Sequence, residues 1–158
     1  MLTTLPLRLN NIRDLQLGSS LIKGTDHYEV RLAGSETKNG RPYCAPLPPQ
    51  LNKYVDTYLA EVRPRLLGSI ANNSAWISYR YASLFSRTIY LSLRQITKDP
   101  FGIELNPHIF RDFAATYIAV HHPDKVRSAA AILGHSSFKT TQKHYNQANL
   151  LSAITQYQ

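Results

Sequence analysis

Among 158 residues there is one cysteine, one tryptophan and one methionine. The lone Cys44 excludes an internal disulfide and any cysteine-based zinc cluster. No apolar run approaches the roughly 18 residues of a membrane span, and the amino terminus shows no basic-then-apolar signal pattern. Acidic residues are also scarce: Asp+Glu 10 stands against Lys+Arg 18, a net charge of +8. Such an excess attracts polyanions, because each neutralised phosphate releases condensed counterions. A merely solubilising basic surface is the blander reading. The basic residues are dispersed rather than massed in a tail, which favours a folded surface over a disordered arm. The chain reads as one cytosolic domain, long enough for a real core, without internal repeats or low-complexity stretches.

The periodicity predicts an α+β fold, mainly α-helical, with a small three-stranded antiparallel sheet near the N-terminus. Leu5, Leu9, Ile12 and Leu15 trace one face of a short first helix, with Pro6 in its first turn. Three short β-rich runs follow over residues 21–47, the last two separated by SETKNG, where Asn39-Gly40 signals a hairpin turn. Leu51, Tyr54, Val55, Tyr58, Leu59 and Val62 predict a helix that Pro64 stops. Residues 68–78 read as a loop with a short extended piece around Trp76. A helix over 86–99 is expected to be closed off by Pro100 and Gly102. Asn106 and Pro107 supply an N-cap and first-turn proline for a helix to about His121. Pro123-Asp124 opens another, ending at Gly134, and a short helix carrying Tyr145 precedes the amphipathic segment LLSAITQY.

Chemistry-bearing residues cluster in the last third. On the helix from Pro107, residues Phe110, Phe113, Ala114, Tyr117 and Ile118 share one face, expected to be the core side. His108 and Arg111 lie three apart on an adjoining face near the helix amino terminus, where free N–H groups and the dipole favour an anion. Together they suit a phosphate clamp; singly, a surface histidine and arginine are commonplace. His135 follows Gly134 on a tight turn, equally able to donate to a phosphate oxygen or to sit against a helix C-terminus. Tyr145 is one of 10 tyrosines, and alone reads as a half-buried aromatic.

In combination these residues resemble the tyrosine recombinase (phage integrase) family. His108-Ile109-Phe110-Arg111 is similar to its HxxR box, Leu133-Gly134-His135 to its LGH box, and Tyr145 in TTQKHYNQA lies where the family carries its nucleophile. The family's first arginine sits in an LRxxE motif, and Leu7-Arg8-Leu9-Asn10-Asn11 is similar, with Arg8 as that arginine. Its lysine sits in a β-hairpin as TK-G, matched by Thr37-Lys38-Asn39-Gly40. Individual boxes are weak; the ordered set is specific and spans residue 5 to about 150. Two departures stand out. Asn10-Asn11 replace the region of the motif glutamate, and Asp112 follows the HxxR arginine where histidine is common.

The resemblance implies a site-specific DNA recombinase or integrase catalytic domain over residues 1–147, with 148–158 a C-terminal tail segment. It implies attack by the Tyr145 phenol on a DNA phosphodiester, giving a 3′-phosphotyrosyl link and a free 5′-hydroxyl. Arg8, Arg111 and His135 would hold the non-bridging oxygens, His108 would accept or orient the phenol proton, and Lys38 would protonate the departing oxygen. No cofactor and no metal is implied, and no small-molecule substrate or membrane. The expected partners are double-stranded DNA and further copies of the chain, as a tetramer on DNA, in a cytoplasmic, nucleoid-associated setting. A type IB topoisomerase-like strand transferase and a catalytically silent DNA-binding relic are the alternatives. Family members normally carry an N-terminal core-binding domain and further helices before the first arginine. Arg8 follows almost directly on Met1, so a fragment, a truncated gene or a split product is expected.

Overall fold

Three antiparallel strands, in the order β1-β2-β3, form a sheet at the front of the chain. They are β1 (Leu21–Lys23), β2 (Tyr28–Leu32) and β3 (Tyr43–Pro46) in a computed structural model that describes residues 4, 5, 7–79, 84–125, 133 and 146. Leu21 pairs with Val30 and Leu32 with Tyr43. Alternation decides the inward face: Tyr28, Val30 and Leu32 are buried while Arg31 between them is exposed. That face joins Ile12, Leu15, Leu47, Val55 and Ala75 in one core. The fold is α+β and mainly helical, as the sequence predicts.

The Asn39-Gly40 turn is present, with Gly40 at φ +70, but it does not close a two-residue hairpin. Strand pairing stops at Leu32 and Tyr43, leaving residues 33–42 as a longer connection that opens with a 3-10 turn, Gly34–Glu36. Residues 33–42 are called the β2–β3 loop below.

Helix α1 is Leu9–Arg13, shorter than the apolar spacing predicts. Arg8 is its cap, in extended conformation (φ −66, ψ 145). The upstream leucines reach the core without helix: Leu5 and Leu7 are both buried, and the Leu7 amide donates to the Leu5 carbonyl at 2.7 Å. The first helix therefore begins only at Leu9, and the expected apolar stripe from Leu5 is not one continuous helical face; Pro6 lies outside the described residues.

Pro64 does not stop the second helix. After the 3-10 turn Pro49–Leu51, α2 (Asn52–Thr57) runs through a π-helical turn, Tyr58–Val62, into α3 (Arg63–Leu67). The wider turn just ahead of Pro64 accommodates a residue that lacks an amide donor and would clash with the carbonyl of an ordinary preceding turn. Gly68, at φ +57, ends the run instead.

Residues 72–77 then return to α1, as an extended piece. The Leu17 amide donates to the Asn73 carbonyl and the Ala75 amide to that of Leu15, both at 2.8 Å. The Trp76 indole donates to the Ile12 carbonyl at 2.7 Å.

Helix α4 (Ser86–Phe101) passes through Pro100 and ends at Gly102, a left-handed cap at φ +66. Pro100 thus stands inside the last turn rather than after it, one residue before the helix ends. Thr97 links this helix to the next by accepting from the Leu105 amide at 2.9 Å, and Glu104 pairs with Arg94 and, at 3.5 Å, with Lys98.

Helix α5 (Pro107–His121) has the predicted start: the Asn106 side chain accepts from the amides of His108 (2.9 Å) and Ile109 (3.2 Å). Its buried stripe differs from the expected one. Pro107, Arg111, Ala115 and Ala119 face inward, while Phe113 and Tyr117 are exposed, 53% and 58%. Assigning the bulkiest residues to the core misplaced the face. Pro123–Lys125 forms a 3-10 turn; the predicted elements beyond it lie outside the described residues.

Candidate active site

A cleft of about 100 Å3 opens where α1, the β2–β3 loop and α5 meet. Arg8 and Asn11 line it from α1, Thr37, Asn39, Arg41 and Pro42 from the loop, and Tyr43 from the start of β3. Arg111 enters from α5 and Leu133 closes the remaining side. Arg8 and Arg111, from opposite ends of the chain, thus share one small space. Among the described residues, no carboxylate lines it.

Arg111 is 8% exposed and donates from Nη2 to the Leu133 backbone carbonyl. Burial pushes its guanidinium down to about 10, and the nearby charge of Arg8 adds to the shift; Asp112 and Tyr43 oppose it. Desolvation and a like charge both penalise the cation, so an anion placed between the two arginines would relieve both. The half-buried Tyr43 phenol is raised by the same burial, against the pull of Arg111. The guanidinium remains protonated at neutral pH, which makes the cleft a place for an anion.

The loop beside the cleft is held in a defined shape. The Ala33 amide donates to the Glu36 carboxylate at 2.7 Å, and Thr37 Oγ1 donates to the Arg41 carbonyl at 2.6 Å. At the neck, a Cβ on Gly34 would stand 2.5 Å from the Gly40 carbonyl oxygen, so only glycine fits there. Asn11 Nδ2 donates to the Glu36 carbonyl at 2.7 Å, tying the loop to α1. Asn10 also has a partner: its Oδ1 accepts from Ser86 at the start of α4, at 2.8 Å.

Of the six residues singled out by sequence, Arg8 and Arg111 line the cleft. Lys38 is exposed on the loop between two lining residues, Thr37 and Asn39, and does not itself line the cleft. His108 is exposed in the first turn of α5 and is not among the lining residues. The pairing the structure makes is therefore Arg8 with Arg111, rather than His108 with Arg111. His135 and Tyr145 lie outside the described residues. Arg41, Tyr43 and Asn11 were missed by sequence reasoning. Arg41 carried a signal, a cation directly after the Asn39-Gly40 turn; Asn11 showed only as a departure from the motif glutamate, and Tyr43 carried no signal beyond adjacency. A second, polar hollow of about 190 Å3, around Lys23, Asn52 and Asp56, holds none of the six residues.

A tyrosine recombinase XerD from Staphylococcus epidermidis is 28% identical over 131 residues, covering 81% of this chain and 43% of the relative. The XerD of Shewanella oneidensis is 30% identical over 114 residues, covering 72% of this chain and 37% of the relative. The chain thus spans less than half the length of these curated relatives. Among solved structures, XerA recombinase matches with a TM-score of 0.72 at 21% identity, covering 99% of this chain and 56% of that one. XerH site-specific recombinase, bound to palindromic difH substrate in a post-cleavage complex, matches with a TM-score of 0.77 at 16% identity, covering 98% and 43%. These likenesses establish the fold. The model of the Phage integrase family matches residues 1–150, nearly the whole chain, and the chain belongs to that family.

Proposed function

We infer that this chain is the catalytic domain, over residues 1–147, of a tyrosine-type site-specific DNA recombinase that cleaves and rejoins strands through a 3′-phosphotyrosyl intermediate. The observation that carries the reading is the meeting of Arg8 and the buried Arg111 in one cleft beside the loop that bears Lys38. Two guanidiniums, with no carboxylate among the described residues that line the cleft, suit the non-bridging oxygens of a phosphodiester, where charge builds in the transition state. The XerH structure of similar fold holds its difH substrate after cleavage, which favours double-stranded DNA as the substrate here.

The Tyr145 phenol oxygen bonds to phosphorus as the bond from phosphorus to the 5′-oxygen breaks. His108 accepts or orients the phenol proton, and His135 adds a donor to the non-bridging oxygens. Lys38 gives a proton to the departing 5′-oxygen, general-acid help worth about 10²–10⁴-fold. The covalent link conserves the bond energy for resealing, and no metal or cofactor enters the scheme. Copies of the chain act together as a tetramer on DNA in the nucleoid, with residues 148–158 packing onto a neighbouring protomer.

A duplex nicked near the cleavage position tests this. The nick lets the short product diffuse away and traps the covalent adduct. Wild type is expected to accumulate adduct and Tyr145→Phe to form none. Absence of adduct across varied duplex sequences rejects the enzymatic reading for this chain.

A further inference from the structure

Asn11 stands where two parts of the site meet. It lies on α1 one turn beyond Arg8 and lines the cleft that holds Arg8 and Arg111. Its side-chain amide donates to the backbone carbonyl of Glu36, the residue that closes the 3-10 turn at the start of the β2–β3 loop. Within itself that loop is stiff. The Glu36 carboxylate holds the Ala33 amide, Thr37 bridges to Arg41, and Gly34 packs against Gly40 at the neck. A stiff loop moves as one body about its strand ends, so a tether at Glu36 fixes the place of Lys38, two residues further on.

We propose that Asn11 is a positioning residue for Lys38. Its amide sets the loop against the helix that carries Arg8, and so decides whether the Lys38 ammonium meets the departing 5′-oxygen. The proposal rests on the assignment of Lys38 as proton donor made above. Asn11 transfers no proton itself: the Lys38 Nζ proton passes to the 5′-oxygen as its bond to phosphorus breaks. The hydrogen bond has a direction that matters. The asparagine amide donates to a carbonyl, whereas an aspartate of the same shape offers that carbonyl only acceptors.

The leaving group provides the test. A duplex that wild type cleaves is prepared twice, with the ordinary bridging 5′-oxygen and with sulfur in its place. A thiolate departs without being protonated, so the sulfur substrate needs no proton donor. Asn11→Ala and Asn11→Asp are expected to slow adduct formation at least about tenfold on the oxygen substrate, part of the range a general acid supplies. On the sulfur substrate both variants are expected to return to within about threefold of wild type, a residual well below that range. Equal slowing on both substrates, or no slowing on either, overturns the proposal. A loss of stability alone would lower both rates together and cannot produce the split.

Trypsin gives a readout that needs no DNA. Cleavage after Lys38 is expected to accelerate in both variants, and unchanged cleavage there overturns the proposal whatever the rates. If wild type forms no adduct on either substrate, the assignment of Tyr145 fails and the catalytic role of Asn11 fails with it. Faster tryptic cleavage would then leave the tether as a structural fact alone.

Discussion

Arg111 donates to the Leu133 carbonyl from a nearly buried position while the charge of Arg8 acts on it across the same cleft. The side chain is held by a backbone acceptor and pressed by burial and a like charge, so the protein accepts an electrostatic cost at this point. With its folded value lowered to about 10 from the ordinary guanidinium range, the unfolded chain holds the extra proton between the two. Stability owed to Arg111 is therefore lowest, and constant, in the neutral range, and rises as pH climbs through about 10.

An anion should reverse that cost. Sulfate is expected to raise the melting temperature of wild type, since a ligand at about one hundred times its Kd adds about 2.7 kcal/mol. The increment should stay level through the neutral range and shrink above a pH of about 10, where Arg111 loses its charge. Arg111→Gln and Arg8→Gln should each show a much smaller increment at neutral pH. An increment as large in Arg111→Gln as in wild type would place the sulfate elsewhere.

Gly34→Ala should disturb the loop without touching a charged residue. Its methyl would meet the Gly40 carbonyl oxygen at 2.5 Å, and backbone rather than a flexible side chain must give way. Crowding of this kind costs about 1–3 kcal/mol. Urea denaturation should report that loss, together with slower adduct formation, because the displaced loop carries Lys38. Stability within error of wild type would show that the neck can open freely.

Asp56→Asn probes the contact between α2 and the first two strands. The Asp56 carboxylate accepts from Lys23 Nζ at 2.8 Å and from the Tyr28 hydroxyl at 2.6 Å, and these bonds hold it below the ordinary aspartate value, the lysine contribution being the larger. A depressed carboxylate stabilises above its unfolded value and loses that contribution as pH falls through its folded value. The variant should be less stable than wild type at neutral pH, with the gap closing in acid. Melting temperatures that differ equally at both ends of that range would exclude the charged form as the cause.

Asn106→Ala removes the acceptor for the His108 and Ile109 amides at the head of α5. Loss of such a cap costs about 1 kcal/mol. Amide exchange at those two positions should quicken well before the middle of the helix responds. Unchanged exchange would mean that the proline at position 107 suffices to start the helix.

The sequence made the sheet legible because inward and outward residues alternate strictly along Tyr28–Leu32, and the head of α5 because Asn106-Pro107 is a local signal. Long-range geometry was not legible in the same way. Nothing local to Pro64 announces the π-helical turn that carries a helix through it. The inward face of α5 was misassigned because aromatic bulk outweighs alanine in any periodicity, whereas the buried positions are those of Ala115 and Ala119. At the site, residue type and order pointed to Arg8 and Arg111, but their common cleft is a product of tertiary folding. Asn11 was legible only as a missing glutamate. Its bond to Glu36 spans two elements and has no signature in either.

The hydrogen bond from the Trp76 indole to the Ile12 carbonyl gives the molecule an optical gauge. Trp76 is the sole tryptophan, so the indole emission of the whole chain comes from one ring seated at the end of α1. Any shift of that short helix, the element that carries Arg8 and Asn11, alters the indole's surroundings and with them the colour of its fluorescence. A ligand that moves α1 as it fills the cleft is therefore expected to announce itself by light, in solution and without a label.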